Sequence, residues 1–535
     1  MKKGFTLIEL LAVIVILAII AVIAVPIVLN ITKIIKEKSY DTSVQNVMRS
    51  AKIYDLESRL NKKEILMDQN IYDDLKTKLT GRVPDDGIVY IKASSINKKN
   101  EIAFALKYGD WCYTKAYGEN KYKKEKSEIC EVPFYYLVEG PSYNSTPDIE
   151  TGKQDTFLGG PLKRMEIESI TTLPTSEVPD DVMGSWNASA TGSSGVMAWY
   201  YDMNKNGLYE VYIGQDGGIK ANSNSQYLFA YLTNLNTIDL TYFDTSQITS
   251  MYYMFSNLAS LKEIDVSGFD TKKVTTMRRM FSGDSSLESL NLDNFDTSNV
   301  TSIGSMFYDC VSLKKIDIYN FNISQVTDIS YMFGNCKSLT TLDVSRFNTS
   351  KVISMNGVFL NCTNLATLDV SDWNTSKTTS MIEMFGGCSN LTELDVSNFD
   401  TSKVVTDTKK GTGISWMFSG CTNLTELNVS GFDVSSITSI SGMFFGMSSL
   451  TSLDLSKWDV SKITEMNNTF NECTNLTSLD IRTFSLENII DNNSIFDGVS
   501  HTAYIVVKTS EDRDWIRETV GSAYWGEIVT VDELD

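Results

Sequence analysis

The chain has 535 residues, 42% of them apolar and 21% charged, with 8 Pro, which excludes a collagen, a disordered tail or a disulfide mini-protein and leaves room for about three or four units at ~150 residues each. Its 67 acidic and 47 basic side chains give a net charge of -20, so the phosphate attraction behind nucleic-acid binding is missing and no nucleic-acid partner is expected. His501 is the only histidine; the commonest general base and multi-histidine metal sites are absent, and no enzymatic activity, cofactor or metal is expected.

The acidity sits towards the C-terminal side: residues 1–227 carry 29 acidic and 27 basic groups, 228–494 carry 29 and 17, and 495–535 carry 9 and 3. At the other end, Lys2 and Lys3 precede a wholly apolar run over 10–29. Twenty residues at ~1.5 Å each span a bilayer core of ~30 Å. The positive-inside rule then places the amino end in the cytoplasm and exports the chain beyond residue 30. A secretory signal cleaved near Val22-Ile23-Ala24 has a shorter apolar core than this run. A plain anchor leaves Glu9 unexplained, because a carboxylate entering hydrocarbon costs about 2.5–3.5 kcal/mol.

The string Lys3-Gly4-Phe5-Thr6-Leu7-Ile8-Glu9-Leu10, followed by a Val/Ile/Ala run containing Pro26, resembles the class III signal of type IV pilins over about thirty residues. The resemblance implies cleavage by a prepilin peptidase after Gly4, methylation of Phe5 as the new amino terminus, and assembly with other pilin subunits. Glu9 then takes the place of the family's fifth mature residue, whose buried carboxylate pairs with a neighbour's terminal amine in the filament. Pro26 falls where such helices kink. Apolar positions from Ile31 to Leu60 continue at near-helical spacing, so one helix is expected over 5–60, its first half in the membrane through 5–30 and its second half packed on a head.

Residues 61–140 read as that pilin-like head, with strand-like stretches around Ile88, Phe104 and Trp111. Cys112 and Cys130 are a candidate disulfide worth about 3 kcal/mol in an exported domain; two free strand cysteines are the alternative. A Pro-, Ser- and Gly-rich stretch over 141–184 reads as a linker or junction. Residues 185–227 read as the N-terminal cap of a repeat region. Within them, Asp202-Met203-Asn204-Lys205-Asn206-Gly207 copies the start of a calcium loop. Its twelfth position is Ile213 and aromatic strands flank it, so a hairpin turn is the preferred reading.

From 228 to 494 the chain repeats every 26 residues, marked by Phe229, Phe255, Phe281, Phe307, Phe333, Phe359, Phe385, Phe418, Phe444 and Phe470, with one step of 33. A unit this short cannot bury its own apolar side, so ten repeats must stack on a shared core. The pattern Cys-x-x-Leu-x-x-Leu-Asp-Val-Ser-x-Phe-Asp-Thr-Ser resembles the leucine-rich repeats of BspA-type bacterial surface proteins, which implies a surface-exposed adhesion module closed by a cap over 495–535. Cys310, Cys336, Cys362, Cys388, Cys421 and Cys473 share one register with Leu258, Asp284, Met447 and Val499, as expected of a column of small buried thiols. A second register is acidic or amide, and Asp317, Asp343, Asp369, Asp395 and Asp454 are its candidate binding residues. Like charges on successive rungs repel, so hydrogen bonds, cations or a basic partner must offset them.

The expected fold is α+β: residues 1–4 as leader, a long N-terminal pilin helix with a small antiparallel sheet head, then a leucine-rich-repeat solenoid with N- and C-terminal caps. The expected function is a minor pilin-like surface subunit that binds an unknown protein or glycan through its repeats. The precursor would be a single-pass protein of the cytoplasmic membrane, and the mature chain would lie at the cell surface or in a pilus. A pseudopilin of a type II secretion or DNA-uptake machine, and a tethered repeat protein that does not polymerise, share parts of the pattern.

Overall fold

The computed structural model describes residues 43–45, 84, 86–91, 102–108, 111–115, 123–126, 157–189, 195–520 and 526–534. The chain divides into two compact units, Met1–Phe134 and Tyr135–Asp535. Gly4, Phe5, Glu9, Pro26, the apolar run and Cys130 lie outside the described residues.

The α+β expectation is overturned. Among the described residues, α-helix is confined to 43–45 and to α1 (Ser510–Val520); the rest is short strands, turns, loops and brief 3₁₀ turns. The helix expected over 5–60 lies outside the described residues except at 43–45, and no described helix is long and apolar enough to cross a membrane. The physical reason within the repeats is length. A rung of 26 residues must turn several times to return to its start, and it has no uninterrupted run of the ten or more residues that a stable helix needs.

In the first unit, β1 (Asp86–Ile91), β2 (Ile102–Tyr108), β3 (Trp111–Lys115) and β4 (Lys123–Lys126) form an antiparallel sheet in that order. Leu106 on β2 pairs with Tyr113 on β3, and both are buried beside Cys112.

The second unit opens with β5 (Ile167–Leu173), β6 (Gly184–Asn187), β7 (Val196–Tyr201), β8 (Tyr209–Gln215) and β9 (Ile219–Lys220). Their sheet recruits β10 (Thr237–Asp239) of the first rung, in the order β10-β5-β8-β7-β6, and β9 pairs in parallel with β11 (Phe243–Asp244). The buried Arg164 locks this lead-in to the first corner, donating to the carbonyls of Leu228 at 3.0 Å and Ala230 at 2.8 Å.

The later rungs are built from three hydrogen-bonded columns, the third present wherever its register holds threonine rather than Ile323, Val434 or Val460. The first is the strand column, where β12 (Ser289–Asn291) pairs in parallel with β13 (Lys315–Asp317) and β14 (Ser452–Asp454) with β15 (Ser478–Asp480). The second is the Met-Phe corner, where alternate N–H groups reach the next rung: Met251 to Thr276, Tyr253 to Arg278, Phe255 to Met280 and Asn257 to Ser282. Two positive-φ residues per rung make this corner possible, one two residues before the Phe and one two residues after it, such as Tyr253 and Asn257. The later one is Gly, Asn or Asp at every rung from Asn257 to Gly446, the residues that tolerate that backbone region best.

The third column replaces backbone pairing with threonine. Thr245 Oγ1 donates to the Asp270 carbonyl and accepts from the Asp270 N–H; Thr271 does the same with Asp296 and Thr375 with Asp400. These threonines are buried, so each hydroxyl satisfies two backbone groups that neither water nor a direct ladder reaches.

The columns enclose one shared core. Phenylalanine rings stack from Phe229 to Phe470 and on to Phe496, an eleventh ring beyond the ten read from sequence, with successive centroids 5.5–6.2 Å apart and planes within 21°. A second ring column includes Phe347, Trp373, Phe432 and Trp458, and the two indoles donate to the carbonyls of Val344 and Val429. At the C-terminal end β15 continues in parallel into β16 (Tyr504–Val507) and β17 (Ile528–Thr530), with α1 packed against both. Because every ring touches a ring above and below, Phe333→Ala is expected to cost about 3–5 kcal/mol, read as a fall in Tm of the full chain; an unchanged Tm would contradict the shared core.

Candidate binding face

The acidic register forms a row on the strand column, one rung apart. Each side chain is exposed, with the buried Leu or Ile before it and the buried Val, Leu or Ile after it turned inward. Each spends one carboxylate or amide oxygen on its own chain. The Ser345 N–H and Oγ donate to Asp343 at 3.1 and 2.7 Å, Ser371 binds Asp369 in the same way, and Ser397 binds Asp395 at 2.9 and 2.6 Å. Asp317 accepts the Tyr319 N–H, and Asp454 accepts that of Ser456. These are Asx turns, and they end the strand at the same place on every rung.

The hydrogen bonds from the serines hold the carboxyls of Asp265, Asp343, Asp395 and Asp454 below their ordinary value. For groups depressed in this way the stabilisation is complete above the usual value of 3.8 and is lost as the pH falls through the lower, folded value. The repulsion anticipated along the row is therefore offset locally, rung by rung. Asp317, Asp343, Asp369, Asp395 and Asp454 still present a second carboxylate oxygen, whereas Asn291 and Asn428 carry no charge and Arg482 binds both oxygens of Asp480.

The same face contains an open groove of about 950 Å³ over the first three rungs, lined by Ser260, Lys262, Glu263, Asp265, Glu288 and Asn291 among others. It lies on the N-terminal side of Asp317 and was not singled out from sequence. The signal for it was present: Lys262, Glu288 and Lys314 occupy a column that becomes Thr340, Ala366 and Thr392 further on. Lys314 pairs with Glu288 at 2.7 Å, an exposed contact of small energetic weight. Arg346 stacks on the Tyr319 ring at 3.9 Å, adding an aromatic surface next to the row.

The six repeat cysteines are free and fully buried. Each thiol donates to the carbonyl of a Phe on the preceding rung, as Cys336 does to Phe307 at 3.1 Å and Cys362 to Phe333 at 3.2 Å. Burial pushes every one of these thiols up, Cys388 and Cys473 to about 12, which suppresses the thiolate needed for nucleophilic or metal chemistry. Cys112 in the first unit is disulfide-bonded. Residues 202–207 form the turn between the antiparallel strands β7 and β8, with the Asn206 and Gly207 N–H groups both donating to Asp202.

Two family models match the chain. A prokaryotic N-terminal methylation motif covers residues 1–25. A family described as "Mycoplasma protein of unknown function, DUF285" matches over 223–342, 336–410 and 412–503, together more than half of the chain and coincident with the stacked rungs. The protein belongs to the DUF285 family. No curated protein and no solved structure matches it. The motif implies a membrane-anchored precursor of pilin or pseudopilin type, processed by a prepilin peptidase and assembled with pilins, and it joins that signal to a DUF285 repeat region.

One member of the thiol column departs from the pattern within these repeats. Asp284 is fully buried where its equivalents are Cys, Leu, Met or Val, and its carboxylate accepts the Leu258 N–H at 2.8 Å. Burial raises its carboxyl well above the ordinary 3.8, so its contribution to stability is complete below 3.8 and is lost as pH rises through the raised value. Asp284→Cys restores the column's own residue. It is expected to raise Tm by several degrees at pH 8 and by less at pH 4; thermal unfolding at the two pH values checks this, and a gain that does not grow with pH refutes it.

Proposed function

We propose that the protein is a minor type IV pilin-like subunit that displays a BspA-type leucine-rich-repeat module on the cell surface, where the repeats bind a protein or glycan of host cells, matrix or other bacteria. The observation that carries this reading is the joining of an N-terminal methylation motif to a repeat solenoid in one chain. The motif supplies a route to a filament; the solenoid supplies a long, regular, exposed face with no equivalent need in the shaft. A unit of this bulk fits between smaller major subunits better than beside copies of itself. Glu9 supports a position beneath or between other subunits, because its carboxylate needs a terminal amine to neutralise it.

The strand face is suited to binding. Its outward oxygens, hydroxyls and the Lys262–Glu288 groove offer many weak polar contacts to an extended glycan or a protein edge. A pseudopilin would share the leader, but the acidic rungs offer nothing to the phosphates of DNA.

Mass spectrometry of the mature protein is expected to find N-methyl-Phe5 as its first residue; an intact Met1, or a start at Val25, refutes the pilin assignment. Immunogold labelling should follow filaments, whereas even label over the envelope favours a tether. On the face itself, changing Asp317, Asp343, Asp369 and Asp395 together to Asn keeps the Asx acceptors and removes the charge. Attachment to cells or matrix should fall at least tenfold with Tm unchanged, and undiminished attachment excludes this row as the binding site.

A further inference from the structure

The Met-Phe corner is a second surface, half-buried and on a different column from the acidic row. Two of its registers carry large side chains that each lie over a glycine of the next rung. A Cβ on Gly334 would meet the Tyr308 ring at 2.9 Å, one on Gly357 would meet Tyr331 at 2.3 Å, and one on Gly442 would meet Trp416 at 2.2 Å. The glycines let the rings lie flat along the corner. Tyr308 and Tyr331 meet edge to face at 6.0 Å, and Trp416 and Phe445 do so at 5.7 Å.

Glu383 stands between these two aromatic pairs, one rung after Gly357 and one before Trp416. It is half-buried, and its carboxylate makes no hydrogen bond or ion pair with any described residue. Burial alone raises its carboxyl; the Tyr331 and Tyr308 hydroxyls are raised first by their own burial, with the Glu383 charge a smaller contribution to each. Lys410 of the nearby insertion pairs with Asp407.

Nothing in the fold asks for an acid at this position. The equivalent residues are Tyr227, Tyr253, Arg279, Ser305, Tyr331, Gly357, Trp416, Gly442, Asn468 and Ser494. The backbone there is left-handed, φ 55° at Glu383, where Gly357 and Gly442 are at ease and a side chain is strained. The carboxylates of the strand-face aspartates each close a turn, whereas the Glu383 carboxylate closes none. A partly desolvated carboxylate framed by Tyr and Trp is complementary to a cation, which gains charge pairing and ring-face attraction together.

We propose that the corner around Tyr308, Tyr331, Glu383, Trp416 and Phe445 docks a basic protein partner by taking up one of its lysine side chains against Glu383. The chain's net charge of -20 draws a basic surface in from a distance, and the aromatic corner supplies the short-range anchor that charge alone lacks. This does not depend on the adhesion reading, because the corner and the strand face are separate columns.

The test passes the full-length protein over dense surfaces of a short Gly/Ser peptide with a central lysine, and over the same peptide with that lysine acetylated. The unmodified chain should bind the lysine surface and ignore the acetylated one. Glu383→Gln should weaken binding at least tenfold. Glu393→Gln, an equal charge change on the strand face, should weaken it less than twofold, and the difference should persist at 0.5 M NaCl, where long-range attraction is screened. Glu383→Gly should lose binding while gaining thermal stability, a combination that a structural role for the acid cannot produce. Equal losses for Glu383→Gln and Glu393→Gln, or no preference for the free lysine, would overturn the proposal.

Discussion

A rung of 26 residues has no interior of its own, and stacking is what gives it one. The phenylalanine rings that lie face to face from Phe229 to Phe496 are covered above and below only by their counterparts on adjacent rungs. Each therefore leaves water only when its neighbours are in place, at roughly 1.5–3 kcal/mol per buried ring. The other columns depend on this contact. The threonine hydroxyls reach the next backbone, the indoles of Trp373 and Trp458 reach carbonyls of the rung before, and the thiols point at the preceding Phe carbonyl, all because the rings set the rung spacing.

That constraint separates the residues the fold requires from those it leaves free. Positions that face the core or close a turn repeat with little variation: the corner Phe, the buried Leu pair, and the Asx-turn acid or amide. The position two residues before the Phe is constrained only in backbone conformation, and its side chain varies through Tyr, Arg, Ser, Gly, Glu and Trp. On the strand face, the column of Lys262, Glu288 and Lys314 varies in the same way, becoming Thr340, Ala366 and Thr392 further on. Variation of this kind on a rigid repeat is where recognition can differ from rung to rung without cost to the stack.

Stacking also explains why the acidic rungs tolerate their charge. A carboxylate that accepts the N–H two residues on, and often a serine hydroxyl with it, is held by bonds within its own rung, so no neighbour or cation is needed to keep the row together. Asp284 is the counterexample. It occupies a column built for small apolar groups, has a single backbone donor for its carboxylate, and is shifted upward where the exposed acids are shifted downward.

The sequence by itself determined the period, the ring column and the cysteine register, because each is a residue type returning at a constant interval, and stacking turns interval into contact. It determined the leader as well, which is a local string. It led wrongly to an α+β fold: the described residues spend their backbone in short strands and turns, and a 26-residue rung leaves no run long enough for a stable helix. Only the tertiary structure decided that Thr245, Thr271 and Thr375 are buried substitutes for a ladder rather than outward hydroxyls, that Lys262 and Glu288 border a groove, and that Glu383 sits unpaired between two aromatic pairs. The groove and the surroundings of Glu383 join side chains from different rungs whose identities do not recur, and a non-recurring residue acquires its meaning from the neighbours that the fold places beside it.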